Sequence, residues 1–301
     1  MKKLVILLIL LLCLPVTAQG GRITDDAGTT IDFSAPFTRI ISLYPAHTEN
    51  LFSLGLGESV IGASTSEDFP SEALTKPAFN ARDGVEKFLA AGPDLVLIRP
   101  MLLRSHPALW EALRRRGITV LALQPSTIDE MYAYWRKLGQ LTGREPEAEE
   151  MIAEFKAGLE KAASRIDLVP VDKRPGVFFE SVHSKYATFT PGSMPLFVLK
   201  MAGGRNVADD AKANRDTNIA NYGMERVLAR GPRIDVYLAQ YGHMNEVEVR
   251  DITNAPAASS IKAVRDRNVF LVDEHLVSRP TMRLLQGIET VHQLLYPGGV
   301  R

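Results

Sequence analysis

Apolar residues along this chain fall into two alternating patterns. Short apolar runs at 39–43, 59–63, 95–98 and 119–123 are each long enough for one buried strand. Between them, apolar residues recur three and four apart. HPALWEALRRRG, which stops at Gly117, and Thr48 to Leu54, which stops at Gly55, predict amphipathic helices ended by glycine. The alternation resumes with strands at 177–180, 235–239 and 269–272 and helical stretches SMPLFVLKMAGG, IKAVRDR and TMRLLQGIETVHQLL. Strand, helix, strand, helix predicts an α/β fold whose parallel-type sheets are flanked by helices. Arg22 to Phe33 differs, reading as two short strands around the turn Asp26-Ala27-Gly28.

One segment breaks the rhythm. PEAEEMIAEFKAGLEKAASRI, residues 146–166, puts Ala148, Met151, Phe155, Leu159, Ala162 and Ile166 on one stripe. Glu147, Glu149 and Glu150 sit in its first turns, where they suit the helix dipole. No Pro interrupts the helix after its start and Gly158 is its one glycine, so it predicts a single rigid rod between two α/β lobes. The division expected is an N-terminal lobe at 19–145, a connecting helix at 146–168 and a C-terminal lobe at 169–301. A repeat supports the pairing of lobes. GVEKFLAAGPDLVLI, from Gly84, returns as GMERVLARGPRIDVYL, from Gly223, with Glu86/Glu225, Leu89/Leu228, Ala90/Ala229, Gly92/Gly231 and Pro93/Pro232 all offset by 139. Each copy is a short helix running into a strand.

Residues 1–18 predict a signal peptide: Lys2 and Lys3, an apolar run from Leu4 to Leu14, then small residues to Ala18. The run is shorter than the roughly 20 residues a membrane span needs. Cys13 is the chain's single cysteine; as a lipid-bearing residue it would follow the bulky Leu12, which favours cleavage after Ala18 instead. A mature chain without cysteine has no disulfides and no thiolate metal or redox site, so it depends on a large apolar core. The whole chain balances 35 Lys and Arg against 35 Asp and Glu, which argues against a nucleic-acid partner or a polybasic membrane surface.

Ligands of open α/β sheets bind beyond the carboxyl ends of the strands. Tyr44 and His47 follow the first strand, and Arg99 follows the third. In the second lobe Glu180 and His183 end one strand, Tyr241 and His243 another, and His275 and Arg279 follow the last. If the lobes face one another, these loops line one cleft. Imidazole, phenol and carboxylate can coordinate metal and guanidinium can pair with anions, which suits a metal-bearing or anionic ligand. His47 and His183 are the candidates for a direct metal bond. Polar loops also carry histidine for no special reason. His106, before Pro107, reads as a helix cap, and His292 as an ordinary residue of the last helix. GxSxG, HExxH, P-loop and GxGxxG motifs are absent.

ITDDAGTTIDF, RIISLYPAHTENLFSLGLGESVIGAS, VEKFLAAGPDLVLI and SSIKAVRDRNVFLVD with SRPTMRLLQGIETVHQLLYP resemble, in order, segments of the periplasmic substrate-binding proteins of ABC importers for iron chelates, haem and cobalamin. The likeness covers nearly the whole mature chain, with the binding domain at about 38–301. It implies two lobes on one long helix, a ligand cleft between them, and no catalysis or resident cofactor. It also implies a monomer in the periplasm that hands its ligand to an ABC permease and ATPase at the inner membrane. Tyr44, His47, Arg99, Glu180, His183, Tyr241, His243 and Arg279 then become the ligand-binding set. Glu86 and Glu225 match the family's glutamates, one per lobe, that meet the permease, although Asp83-Gly84-Val85-Glu86 also fits a capping box. The polar set favours an iron(III) chelate, siderophore or haem, over cobalamin. The competing functions are an exported chelatase-like or metal-dependent enzyme using Glu180 and His183, and a ligand sensor.

Overall fold

The computed structural model describes residues 20–213 and 217–299. The leader to Ala18 and Cys13 lie outside the described residues. The chain opens with an antiparallel hairpin, β1 (Gly21–Thr24) and β2 (Thr30–Phe33). Gly28, at φ +86°, turns it, and the Asp25 carboxylate accepts from the N–H groups of Ala27, Thr29 and Ala122, tying the turn to the sheet behind.

The N-terminal lobe follows as β3 (Ile40–Ser42), α1 (Pro45–Ser53), β4 (Val60–Ser64), β5 (Ala78–Phe79), α2 (Val85–Ala91), β6 (Leu95–Ile98), α3 (Pro100–Ser105), α4 (Pro107–Arg115) and β7 (Thr119–Ala122). Its five strands are all parallel, in the order β5-β4-β3-β6-β7. Strand order therefore reverses between β3 and β6, and the crevice at such a point is where this architecture binds ligands.

Two long helices leave this lobe: α5 (Ile128–Thr142) and α6 (Glu145–Ile166). Thr127 and Glu130 form a capping box at the start of α5. The tight α5–α6 corner needs Gly139, since a Cβ there would stand 2.9 Å from both the Arg144 carbonyl oxygen and the Ala148 Cβ. Helix α6 begins within a residue of the stretch the pattern predicts. It buries Ala148, Met151, Phe155, Ala162 and Ile166 of the stripe, and Leu159 packs partly buried at its edge.

The C-terminal lobe contains β8 (Gly176–Val182), β9 (Ala187–Phe189), α7 (Met194–Met201), β10 (Arg205–Asn206), β11 (Ile219–Asn221), α8 (Met224–Arg230), β12 (Val236–Tyr241), α9 (Val249–Thr253), α10 (Lys262–Arg265), β13 (Val269–Asp273), α11 (Glu274–Val277) and α12 (Leu284–Leu295). Its sheet, β11-β9-β8-β12-β13 with β10 beside β8, is mixed: β8, β12 and β13 run parallel, while β9 and β11 pair antiparallel. The antiparallel strands are three residues each, too short for an apolar period to register.

The duplicated junctions share a device. Asp94, ahead of β6, accepts from the N–H groups of Thr38 and Arg39 at 2.9 and 3.0 Å; Asp235, ahead of β12, accepts from Gly176 N–H at 2.7 Å. Each aspartate thus pins the neighbouring strand at its start. The glycines diverge. Gly92 ends α2 in the left-handed region at φ +63°, whereas Gly231 stays helical and leads into a short 3₁₀ turn.

One apolar core runs through the molecule. It joins Ile40, Leu97 and Leu121 of the first sheet to Trp135 of α5, Phe155 of α6, Phe179 of the second sheet and Ile288 of α12. The outer face of each sheet has a smaller core of its own, around Trp110 in the first lobe and Tyr237 in the second. No helix among the described residues is long and apolar enough to cross a membrane.

Candidate functional site

A cavity of about 730 Å³ lies between the lobes, a volume suited to a ligand of several hundred daltons. The first lobe lines it with the segments after β3, β4 and β6, and the second with those after β12 and β13. Of the sequence-predicted set, Tyr44, Arg99, His243 and Arg279 reach its wall. So does His275, which the strand-end rule also reached.

The β3–β6 switch point brings Tyr44 and Arg99 together. Tyr44 precedes Pro45, whose fixed φ starts α1. Arg99 likewise precedes Pro100 at the start of α3. The Arg99 guanidinium stacks 4.7 Å from the Tyr44 ring centroid and donates through Nε to Gln124 Oε1 at 3.1 Å, so its plane is fixed. Burial raises the Tyr44 phenol above its ordinary value, while Arg99 and Arg279 pull it back. On the opposite wall, the Glu274 carboxylate accepts from the N–H groups of His243 and Met244 at 3.0 and 3.2 Å. Gly242 is required above it: a Cβ at that residue, with φ +150°, would lie 2.4 Å from Glu274 Cδ. Met101 and Met244 also line the cavity, one from each lobe, and are 51% and 56% exposed. They give it soft apolar lips.

An ionic seam between the lobes adjoins the cavity. Asp68, in the loop after β4, contacts Arg279, Arg283 at 3.1 Å and His275 Nδ1 at 2.9 Å. Burial alone would raise the Asp68 carboxyl, but Arg279, His275 and Arg283 outweigh it and hold it below its ordinary value. Glu49 of α1, only 2% exposed, accepts from Arg283 Nε at 3.2 Å, and its carboxyl is raised by burial. Asn50 Nδ2 donates to the Pro280 carbonyl at 3.0 Å. Glu67 anchors the loop to the first lobe by accepting from Ser64 and Thr48.

The other predicted residues lie elsewhere. His47 is fully buried behind the wall. Its Nε2 faces the Ile98 carbonyl at 3.2 Å and its Nδ1 the Tyr134 hydroxyl at 2.7 Å. A carbonyl only accepts, so Nε2 carries the proton and Nδ1 accepts from Tyr134. Burial lowers the imidazole to about 4, leaving it neutral with both nitrogens occupied. Such a histidine has no lone pair free for a metal, and the direct bond expected of His47 is corrected on that ground. Glu180 and His183 form a second cluster away from the cavity wall. Tyr237 OH donates to Glu180 at 2.5 Å, and His183 Nδ1 lies 3.1 Å from both carboxylate oxygens. Side chains alternate along a strand, so Glu180 shares the face of Phe178 and enters the outer core with Tyr237. His183 is raised by the Glu180 hydrogen bond against the effect of burial. Its Nδ1 is therefore committed to Glu180. Tyr241 ends β12 largely exposed and off the cavity wall. His106 makes no side-chain cap bond; its Nδ1 meets Ser105 Oγ at 2.8 Å. His292 is buried and donates from Nδ1 to the Ala202 carbonyl at 3.1 Å.

Sequence reasoning did not single out Glu49, Asn50, Asp68, Gln124 or Arg283. Glu49 and Asn50 lie within a helix and Arg283 at a helix cap, positions to which a strand-end rule is blind. Asp68 follows β4 and was within the rule's reach. Among the described residues no group of three or more His, Cys, Asp or Glu is arranged to hold a metal ion.

Glu86 and Glu225 occupy equivalent first turns of α2 and α8, and both are exposed. Among the described residues neither joins an ion pair. The capping box is not formed: Gly84 is the N-cap without a side-chain bond, and the Asp83 carboxylate accepts from Asn80 N–H and Lys87 Nζ at 2.9 and 2.8 Å.

Two α/β lobes on long helices, enclosing a cavity at their strand ends, define a bilobed binding protein. A family model described as periplasmic binding protein matches residues 40–276, and the chain belongs to that family, whose superfamily is associated with ABC importers. Family and fold are those of non-catalytic binding proteins. The chain is 26% identical over 279 residues to an uncharacterized ABC transporter substrate-binding lipoprotein of Bacillus subtilis, covering 91% of this chain and 85% of that one. It is 25% identical over 261 residues to a vitamin B12-binding protein of Vibrio campbellii, covering 86% and 89%. Among solved structures it resembles a possible iron-binding, periplasmic solute-binding protein of Staphylococcus epidermidis, with 29% identity, a TM-score of 0.74, and 86% and 99% coverage.

Proposed function

We propose that this protein captures a metal chelate in the periplasm and delivers it to an ABC permease and ATPase at the inner membrane. The chelate is an iron(III) siderophore, haem or cobalamin. The observation that carries the proposal is the cavity of about 730 Å³ lined from both lobes at their strand ends. Such a cavity holds a ligand without any catalytic apparatus. The vitamin B12-binding relative and the possible iron-binding structure support a metal-bearing ligand. Residues 1–18 act as the export signal in this proposal, and the mature chain works as a monomer. Tyr44, Arg99, His243 and Arg279 contact the ligand, and Glu86 and Glu225 meet the permease.

Calorimetric titration of the mature protein with a ferric siderophore, haem and cobalamin tests the reading. Stoichiometric binding of at least one is expected, and the absence of binding to all three overturns it. Calorimetry suits this protein better than tryptophan fluorescence, because Trp110 and Trp135 are fully buried and neither lines the cavity.

A further inference from the structure

The charges around the cavity are arranged in a way that selects among metal chelates. Arg99 and Arg279 are the arginines on its wall, and Arg283 stands behind Arg279. A pocket built for a polyanion leaves such groups unpaired, because each free guanidinium donor is a place for a ligand oxygen. Here Arg279 and Arg283 are answered by carboxylates from within the protein, and Arg99 is stacked on Tyr44 and bonded to Gln124. Asp68 reaches across from the first lobe to both Arg279 and Arg283. Arg279 is only 11% exposed, and its Nη1 donates to Asp68 Oδ1. His275 Nδ1 is shared between Asp68 at 2.9 Å and Asp273 at 3.4 Å. Glu274 brings a further negative charge to the wall itself, held by the His243 and Met244 N–H groups. Glu49 adds a partner for Arg283, although burial raises its carboxyl and weakens its share. Asp68 thus meets Arg279 and Arg283, Glu49 meets Arg283 as well, and Asp273 and Glu274 flank His275, while Arg99 is held by the Tyr44 ring and Gln124 and balanced on the opposite wall by Glu274. The rest of the wall carries no charge and mixes apolar side chains such as Leu43, Phe79 and Phe189 with hydroxyls and amides such as Ser64, Asn80 and Asn218.

We infer that the cavity selects an electroneutral metal chelate, and that Asp68 is the residue that sets this by occupying Arg279 from across the lobes. This rests on the proposed capture of a metal chelate and narrows its class. A neutral ferric trihydroxamate and a neutral corrinoid share that chemistry. A trianionic ferric tris-catecholate does not, because it meets Glu274 directly and must compete with Asp68 for Arg279. Asp68 holds Arg279 without itself lining the cavity, so its role is positional.

The test is calorimetric titration of the mature protein with three probes: a neutral ferric trihydroxamate, cyanocobalamin and a trianionic ferric tris-catecholate. The wild-type protein is expected to bind one of the neutral probes at least about tenfold more tightly than the trianion, with an affinity that changes little between low and high salt. Which neutral probe binds decides between a siderophore and a corrinoid. Asp68→Asn keeps an acceptor beside Arg279 but removes the charge, and should tighten the trianion by about tenfold at low salt while leaving the neutral ligand near its original affinity. A purely structural Asp68 would weaken all ligands together and would not produce this gain. Wild-type binding of the trianion as tight as that of the neutral probes overturns the charge selection and leaves the metal-chelate reading standing. Failure to bind any of the three probes overturns the charge selection, and failure to bind haem as well overturns the metal-chelate reading. The wild-type comparison is decisive even if the variant does not fold.

Discussion

His47 and His183 carry opposite pH signatures. The His47 imidazole sits at about 4 in the folded chain against an ordinary 6.5, because burial penalises its charged form. The unfolded chain takes up a proton there that the folded chain refuses. Its stabilising contribution is therefore complete above pH 6.5 and is lost as pH falls from 6.5 toward 4, by at most about 3 kcal/mol. Urea unfolding between those values should show a steeper loss of stability in the wild type than in His47→Gln, and equal slopes would refute the assignment. His183 behaves the other way. Glu180 raises it, so the pair stabilises the fold at low pH, and that stabilisation fades as pH rises through the raised value. His183→Ala leaves Glu180, which has no exposed surface, with Tyr237 as its hydrogen-bond donor. A stability loss of about 1–3 kcal/mol is expected, with little change in ligand affinity. An affinity loss without destabilisation would return His183 to the cavity wall.

At the scale of elements, most of the fold was legible. The strands at 95–98 and 269–272 and the helix at 146–166 appear within a residue or so of where apolar spacing puts them. The sharp constraint lies between elements. Gly139 lets the α5–α6 corner close, and Gly139→Ala should cost about 1–3 kcal/mol, read as a lowered denaturant midpoint, because the obstructing Arg144 oxygen belongs to the backbone and cannot swing aside. An unchanged midpoint would mean that the corner has slack. The site was less legible than the fold. The strand-end rule led to Tyr44, Arg99, His243 and Arg279, which lie on the cavity wall. It misplaced Glu180, because alternation along β8 turns that side chain into the outer core. It also misplaced His47, whose position in α1 points it at Tyr134.

The whole molecule combines one continuous apolar core with two matched exposed glutamates. A shared core runs through α6 into both lobes, so in the proposed function Glu86 and Glu225 would meet the permease as a pair of fixed spacing. Glu86→Lys with Glu225→Lys should cut chelate uptake in cells by about tenfold or more, through lost charge complementarity with the permease, and leave affinity for the chelate intact. A parallel loss of affinity would place these glutamates in ligand binding instead. The repeat at offset 139 is enough to pick out this pair, because exposure and helix position are local properties.

The sequence by itself determined the long helices and the parallel strands, the two-lobed plan and the surface position of the two glutamates. Each follows from spacing along the chain. The tertiary structure alone decided that Asp68 meets Arg279 across the lobes, that Glu49 finds Arg283, and that His47 is sealed off from the cavity. These partners are separated by more than two hundred residues in the first two cases, and the packing of α1 and the β4 loop against the segment before α12 brings them together. No periodicity along the chain encodes such a meeting.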